Sequence, residues 1–130
     1  MTPAWTAKQF GTVIDRFKVD CPSEAWDDVL MRYGTLLEKG PACGPLVAKK
    51  LKNAKGIWEL LGHADSSQPR LLFYFSDKVP KLIVFVDAFI KQGKNDYKSA
   101  IERAQKRRTQ IERGEKIVNV IGHTKSTVVH

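Results

Sequence analysis

Residues 57–86 read IWELLGHADSSQPRLLFYFSDKVPKLIVFV, and this stretch decides the fold class. It contains apolar segments at 57–61, 70–75 and 82–86, which are separated by short polar connections. Connections this short join neighbouring antiparallel strands, so the segments predict a meander. The second and third segments are apolar at nearly every position, which indicates that helices cover both faces of the sheet.

Helical patterns flank these strands on both sides. Ser23 begins a helix that ends before Gly40, with acidic residues in its first turns and apolar side chains at helical spacing. A second long helix is predicted over residues 96–113, where Ser99 and Glu102 have the spacing of a capping box. The predicted fold class is therefore α+β, a small antiparallel meander sheet with helices packed at its N-terminal and C-terminal sides.

Three segments have weaker patterns. Residues 11–19 alternate in a way that predicts an edge strand, with a short helix as the alternative. Residues 44–52 follow a Gly-Pro break and predict a short helix. We expect a single domain over residues 1–113 and a C-terminal extension, 114–130, that is loosely ordered or used by a partner.

Composition and charge limit the classes of function. A chain of 130 residues can bury one core without disulfides or metal. Its 22 basic and 14 acidic residues leave a net charge of +8, which favours nucleic acid or another polyanion as partner. Cys21 and Cys43 lack metal-binding spacing and are expected to be reduced thiols. With no apolar run of membrane length and no secretion signal, we expect a cytoplasmic protein without a membrane partner.

Cationic residues gather beside the predicted strands. Arg70 opens the second strand, and residues 91–97 follow the third. In a meander, the start of the second strand lies near the ends of the first and third strands. We therefore expect three features to converge at one end of the sheet: Arg70, the 91–97 loop, and a lysine run that precedes the first strand. The lysine run consists of Lys49, Lys50, Lys52 and Lys55.

The common enzyme motifs are missing from the sequence: there is no Gly-rich phosphate loop, no HExxH and no GxSxG. His63, in the loop between the first two strands, is either a general acid or base or simply solvated. We identify no metal ligands and expect no cofactor. The last helix also carries a basic stripe, which is either solvated or follows phosphates. Its members are Arg103, Lys106, Arg107, Gln110 and Arg113.

Three blocks between Lys50 and Arg107 resemble, in order and spacing, the RelE/HigB-type toxins of toxin–antitoxin systems. The resemblance is strongest to the branch described as phage-derived HigB-like proteins. The sequence departs from that pattern at Leu61 and Gln92, where the family has cations, and at Tyr97, where it has proline. Gln68-Pro69 also replaces the residues that usually precede the arginine of the second strand. The matching blocks are Lys50-Leu51-Lys52 with Gly56-Ile57-Trp58-Glu59-Leu60, Arg70-Leu71-Leu72-Phe73-Tyr74-Phe75, and Ala88-Phe89-Ile90-Lys91 with Ile101-Glu102-Arg103-Ala104.

The resemblance implies a RelE-like fold and a metal-independent endoribonuclease that cleaves mRNA on the ribosome and so inhibits translation. The mRNA 2′-hydroxyl would attack the adjacent phosphate, while cations stabilise the transition state. The implied catalytic residues are Arg70 and Lys91 for phosphate stabilisation, Lys52 in support, and Tyr97 or His63 as proton acceptor or base-stacking group. The residues assigned to RNA binding are Lys49, Lys50 and Lys94, together with Arg103, Lys106 and Arg107 of the basic stripe.

The same resemblance implies three partners: the ribosome, mRNA and a cognate antitoxin, expected to be a helix-turn-helix protein. Two other functions remain open. A ParE-like toxin would share the fold but inhibit DNA gyrase. A non-catalytic basic module would bind nucleic acid through the stripe on the last helix.

Overall fold

The computed structural model describes residues 4–115 and 118–122, apart from the side chain of Lys94. Within these residues, a six-stranded sheet has two helices on one face and one on the other. A 3₁₀ turn, Gly40–Ala42, follows the second helix. In chain order the elements are β1 (Thr6–Phe10), α1 (Val13–Asp20), α2 (Ser23–Lys39), β2 (Ala48–Lys50), β3 (Trp58–Leu61), β4 (Pro69–Phe75), β5 (Leu82–Ile90), α3 (Lys94–Glu112) and β6 (Val118–Val120).

The described strands lie in the order β2-β3-β4-β5-β1-β6. The pairs β2–β3, β3–β4, β4–β5 and β1–β6 are antiparallel, and β1 runs parallel to β5. The α+β class and the predicted β3-β4-β5 meander are both confirmed. The central strands are covered on both faces, as their uninterrupted apolar sequence predicted.

Residues 11–19 do not form the predicted edge strand. The alternative, a short helix, is what the structure contains, as α1. Its start is stabilised by Gln9, whose side-chain Oε1 accepts hydrogen bonds from the backbone N–H groups of Ile14 (2.9 Å) and Asp15 (3.1 Å). These donors have no partner within a helix, so a buried amide oxygen at this place favours helix over strand.

The short helix predicted over residues 44–52 is also wrong. A turn at Gly44, where the backbone has a φ of +97°, leads into strand β2. β2 pairs with β3, and the Leu61 N–H also donates to the Val47 carbonyl oxygen (3.0 Å). Hydrogen bonds to the next strand along the chain outweigh the local helical pattern here.

Helix α3 begins two residues before its predicted start. The carboxylate of Asp96 accepts hydrogen bonds from the backbone N–H groups of Gln92 (2.7 Å) and Gly93 (2.8 Å), which caps the helix at Gly93. Ser99 and Glu102 therefore lie inside the helix, and the capping box predicted for them is wrong. No helix among the described residues is both long enough and apolar enough to cross a membrane.

Two apolar clusters lie on opposite faces of the sheet. The cluster under α1 and α2 contains Ile14, Val29, Leu36, Ala48, Leu60, Leu71, Phe73, Ile83 and Phe85. The cluster under α3 contains Ala54, Ile57, Leu72, Tyr74, Leu82, Val84, Val86, Ala100 and Ala104. Burial of these side chains is the main stabilising contribution to such a fold.

A β-bulge in β5 turns one charged side chain toward α3. Leu72 of β4 pairs with Asp87, whereas the next residue, Phe73, pairs with Phe85, so Val86 is the extra residue. Val86 packs in the α3 cluster, and the Asp87 carboxylate accepts hydrogen bonds from α3. Two consecutive side chains thus face the same helix, which the alternation of a regular strand does not allow.

Part of the predicted C-terminal extension is a strand. β6 pairs with β1, and the Gly122 N–H donates to Asp15 Oδ1 (2.8 Å). The rest of that prediction concerns residues 116–117 and 123–130, which lie outside the described residues. The expected boundary after residue 113 remains a prediction.

Candidate functional site

Arg70 opens β4 and lies against the first turn of α3. Its guanidinium is enclosed by acceptors: Nη1 donates to the carbonyl oxygens of Gly62 (2.8 Å) and Pro69 (2.9 Å), and Nη2 donates to Gln68 Oε1 (3.1 Å). Its Nε donates to the hydroxyl of Tyr97 (3.1 Å). With 11% of its side chain exposed, Arg70 is a fixed cation rather than a mobile surface arginine.

Glu59 supplies the negative charge that balances Arg70. Its carboxylate, 4% exposed, lies 3.4 Å from Arg70 Nε and accepts a 2.6 Å hydrogen bond from the Tyr97 hydroxyl. Burial, reinforced by the Glu59 carboxylate, raises the pKa of Tyr97 to about 12. Tyr97 is therefore protonated at neutral pH, and its role as a proton acceptor remains a prediction. Its base-stacking role remains a prediction.

Lys91 provides an exposed cation beside this pair. Its backbone N–H donates to the Gln68 carbonyl oxygen (2.9 Å), which ties the end of β5 to the loop before β4. Its ammonium lies 5.8 Å from the centre of the Tyr97 ring, within the range of a cation–π contact. A polar cleft beside Lys91 is lined by Asp65, Ser66, Ser67, Gln68, Ile90, Lys91 and Gln92. The predicted convergence of Arg70 with the 91–97 loop is thus present.

The lysine run does not join them. Lys49 pairs with Glu59 across β2 and β3, which places both residues on the α3 face. Lys50 pairs with Trp58 and so belongs to the opposite face. Lys52 is exposed in the β2–β3 connection, at the end of the sheet away from Arg70. The prediction that the whole run converges with Arg70 is wrong, because alternation along β2 puts Lys49 and Lys50 on opposite faces and Lys52 lies at the other end of the sheet.

Two further predicted residues contribute less to this cluster. His63 is exposed, and its backbone N–H donates to Asp28 Oδ2 (2.6 Å) of α2. No hydrogen bond among the described residues joins its imidazole to Arg70, Lys91 or Tyr97, so its catalytic role remains a prediction. The RNA-binding prediction for Lys94 concerns a side chain outside the described part of the structure.

A second charged cluster lies on the other side of α3. Arg103 binds the Asp87 carboxylate through Nε (3.1 Å) and Nη2 (2.9 Å). Arg107 binds it through Nη1 (2.8 Å) and also donates to the Val86 carbonyl oxygen (2.7 Å). The hydrogen bond to Asp87 raises the pKa of Arg103 further, so its charge is permanent. Of the predicted basic stripe, Lys106 is exposed and Arg103 and Arg107 are ion-paired.

Sequence reasoning overlooked the two acids that organise these clusters. Glu59 and Asp87 are each 3% exposed, although acids are seldom so deeply buried without partners. A signal was available, because both interrupt apolar strand segments. An acid at such a position needs a buried cation or hydrogen-bond donor, and here Arg70, Arg103 and Arg107 meet that need.

The Arg70 cluster suits interaction with a phosphate group. Lys91 offers a mobile ammonium, and Tyr97 and Arg70 lie behind it, rigidly held through Glu59. Preorganised donors of this kind stabilise negative charge on a phosphate without reorganising during reaction. Among residues 4–115 and 118–122, no group of three or more His, Cys, Asp or Glu side chains is placed to hold a metal ion.

Comparison with known proteins identifies a family for this chain. The family model described as phage-derived protein Gp49-like (DUF891) matches residues 19–109, which is more than half of the 130-residue chain. The matched region runs from the end of α1 to the last turns of α3 and contains both charged clusters. No curated protein and no solved structure matches the chain significantly. The chain therefore belongs to the phage-derived Gp49-like family, which is a family of toxin-like proteins of the RelE/HigB type.

Proposed function

We propose that this protein is the toxin of a toxin–antitoxin module and acts in the cytoplasm as a ribosome-dependent mRNA endoribonuclease. Membership of the Gp49-like family is compatible with a toxin-type function. The observation that carries the finer proposal is the grouping of Arg70, Tyr97 and Lys91 at one end of the sheet, beside an open polar cleft.

The proposed reaction needs charge stabilisation more than an elaborate set of catalytic groups. The 2′-hydroxyl of the mRNA gives up its proton and attacks the adjacent phosphorus, the 5′-oxygen of the next nucleotide leaves and takes up a proton, and a 2′,3′-cyclic phosphate forms. The ribosome holds the mRNA in a reactive geometry. The phosphate oxygens gain negative charge in the transition state, and cations fixed nearby stabilise that state more than the ground state.

The residues of the cluster differ in their proposed roles. Lys91 is exposed and contacts the phosphate directly. Arg70 is already balanced by Glu59, so its main role is to hold Tyr97 and Gln68 in place, with its remaining exposed edge directed to the substrate. Tyr97 donates its one hydroxyl proton to Glu59, so its proposed role toward the substrate is to stack on a base. Lys49, beside Glu59, extends the positive surface along the RNA.

An antitoxin is the implied partner, and we expect it to be a helix-turn-helix protein that neutralises the toxin by contacting it directly. The exposed charge of Lys91 and Lys49 gives such a partner an electrostatic target. Co-expression with a small helix-turn-helix protein encoded next to this gene should relieve growth arrest.

A translation assay tests the nuclease proposal. In a reconstituted translation reaction with mRNA cleavage mapped by primer extension, the wild type should cut mRNA only when ribosomes are present. Lys91→Ala should reduce cleavage about a hundredfold, the usual scale for losing one group that stabilises a transition state. Lys18→Ala, which removes an exposed lysine from α1, is the matched control. Lack of cleavage by the wild type would reject the nuclease, and full cleavage by Lys91→Ala would reject the assignment of Lys91.

One observation favours a second candidate, a non-catalytic module that binds nucleic acid. Three arginines of β4 and α3, Arg70, Arg103 and Arg107, are paired with buried acids, which lowers the charge available for catalysis. Binding of RNA that weakens with salt, without cleavage or growth arrest, would support this alternative. Inhibition of gyrase in a supercoiling assay, with translation unaffected, would instead indicate a ParE-like toxin.

A further inference from the structure

A groove on the α1 side of the second charged cluster has no role in the proposed cleavage. It is lined by residues from four elements: β1 with its following loop, α1, β5 and α3. Phe10, Thr12 and Arg16 form one wall, and Asp87 and Arg107 form the other. Arg103 adjoins the groove through its bidentate contact with Asp87.

The arginines of this groove are held in place before any ligand arrives. Arg107 has Phe10 against its guanidinium, with 5.1 Å between Cζ and the ring centre, and both of its Nη1 hydrogens are used by Val86 and Asp87. Arg103 uses Nε and one Nη2 hydrogen on Asp87. Each guanidinium has five N–H donors, so each still has donors directed away from the carboxylate.

The positive charge of the arginines in this cluster exceeds the negative charge of Asp87. Arg103 alone satisfies both oxygens of the Asp87 carboxylate, and a second arginine on one acid leaves excess positive charge. Arg16, exposed on the opposite wall, adds to it. Like charges held this close repel one another unless an anion lies between them.

The helix terminus at this groove is not the anion ligand. Gln9 Oε1 already accepts from the N–H groups of Ile14 and Asp15, the donors that α1 would otherwise offer. The guanidiniums of Arg16, Arg103 and Arg107 are therefore the groups that can bind an anion. Their planar donors match the paired oxygens of a phosphate.

We infer that this groove is a phosphate-binding site in which Arg16 completes a pair of arginines preset by Asp87, and that its ligand is a phosphodiester of an RNA backbone. The site lies across α3 from Arg70 and Lys91, so it provides a second point of contact for the nucleic acid. It does not depend on the proposed cleavage, since binding at Arg16 requires no reaction at Lys91.

The test compares two variants of the same helix. Arg16→Gln and Lys18→Gln each remove one exposed positive charge from α1, but the two positions are about 200° apart around the helix, so only Arg16 lines the groove. The full-length protein is titrated against a labelled single-stranded oligouridylate by fluorescence anisotropy, at several salt concentrations. Sodium tripolyphosphate, added as a competitor, distinguishes a free polyphosphate from an RNA backbone.

Arg16→Gln should weaken RNA binding about fivefold at 0.1 M salt. The plot of the logarithm of the binding constant against the logarithm of the salt concentration should become less steep by about 0.7, which is the contribution of one phosphate contact on a single strand. Lys18→Gln should have a clearly smaller effect. Tripolyphosphate binding that depends on Arg16, with RNA binding unchanged, would keep the phosphate site but reject an RNA backbone as its ligand. Equal effects of the two variants, or none, would overturn the inference.

Failure of the proposed function is separable from failure of this inference. If the wild type cleaves no mRNA while Arg16→Gln still weakens RNA binding, the nuclease proposal is rejected and the groove remains. If cleavage occurs but Arg16→Gln and Lys18→Gln have equal effects on RNA binding, the groove is rejected as a phosphate-binding site and the nuclease proposal remains.

Discussion

Replacement of Arg70 by methionine should destabilise the protein strongly, because it leaves a buried carboxylate without its cation. Methionine has a similar length but no hydrogen-bond donor. In Arg70→Met, the Glu59 carboxylate, 4% exposed, retains only the hydroxyl of Tyr97. The carbonyl oxygens of Gly62 and Pro69 lose a donor as well.

The expected magnitude follows from the burial of the pair. Breaking a buried ion pair by removing one partner costs about 3–5 kcal/mol. A domain of this size has a total stability of roughly 5–15 kcal/mol, so Arg70→Met should lose a large fraction of it. The partner substitution Glu59→Gln removes the unpaired charge while keeping an oxygen that accepts from Tyr97. The double variant should therefore be about 2 kcal/mol more stable than Arg70→Met alone, in the range of coupled neighbours.

Urea denaturation followed by tryptophan fluorescence measures these free energies of unfolding. Arg113→Met is the matched control. The Arg113 side chain is 72% exposed, so the free energy of unfolding of this variant should remain within about 0.5 kcal/mol of the wild type. A loss below about 1 kcal/mol for Arg70→Met, or a double variant less stable than Arg70→Met, would refute the account of a paired buried charge. The result also matters for function, because lost cleavage in an Arg70 variant is informative only if the variant folds.

Two further predictions use tyrosine ionisation and glycine packing. Burial is the first cause of the raised pKa values of Tyr74 and Tyr97, both about 12, so at pH 10 the native protein should show much less tyrosinate absorbance than the urea-unfolded chain. Because the folded pKa values exceed the unfolded value near 10.0, this contribution to stability is complete below pH 10 and is lost as the pH rises through 12. Equal absorbance in the two states would contradict it. Gly62→Ala should destabilise the protein by about 1–3 kcal/mol, since a Cβ there would lie 2.6 Å from the Pro69 ring. A Cβ at Gly34 in α2 meets nothing within 4 Å, so Gly34→Ala should stabilise the protein by up to about 1 kcal/mol. Thermal unfolding of both variants measures these changes in stability, and a change in the same direction for both would contradict the packing argument.

The long elements were predictable from sequence because their signals are local. The strands β4 and β5 are apolar runs, and α2 has an apolar face with a terminating glycine. The short strands were not predicted, since β2 and β6 have three residues each and are stabilised by pairing with other strands, in the case of β6 with the distant strand β1. The helix α1 was only an alternative, because its deciding hydrogen bonds come from the side chain of Gln9.

The candidate site was predictable to a similar extent. The meander implied that Arg70 would lie near Lys91 and Tyr97, and the pairing of Pro69 with Ile90 brings them together. The same reasoning failed for the lysine run, because the pairing partners of Lys49 and Lys50 were needed to assign each to a face. Sequence indicated the cations, and it did not indicate which acids would neutralise them.

The sequence by itself determined the net charge of +8, the meander and the pattern of the RelE/HigB-type toxins. Only the tertiary structure decided which positive charges are available to a ligand. Tyr97 reaches Glu59 across 38 positions of the chain, and the bulge at Val86 turns Asp87 toward α3. A buried charge is costly unless it is paired, and pairing depends on register and on a bulge that no local pattern specifies. Arg70, Arg103 and Arg107 are therefore held by acids, while Lys91 and Arg16 remain exposed.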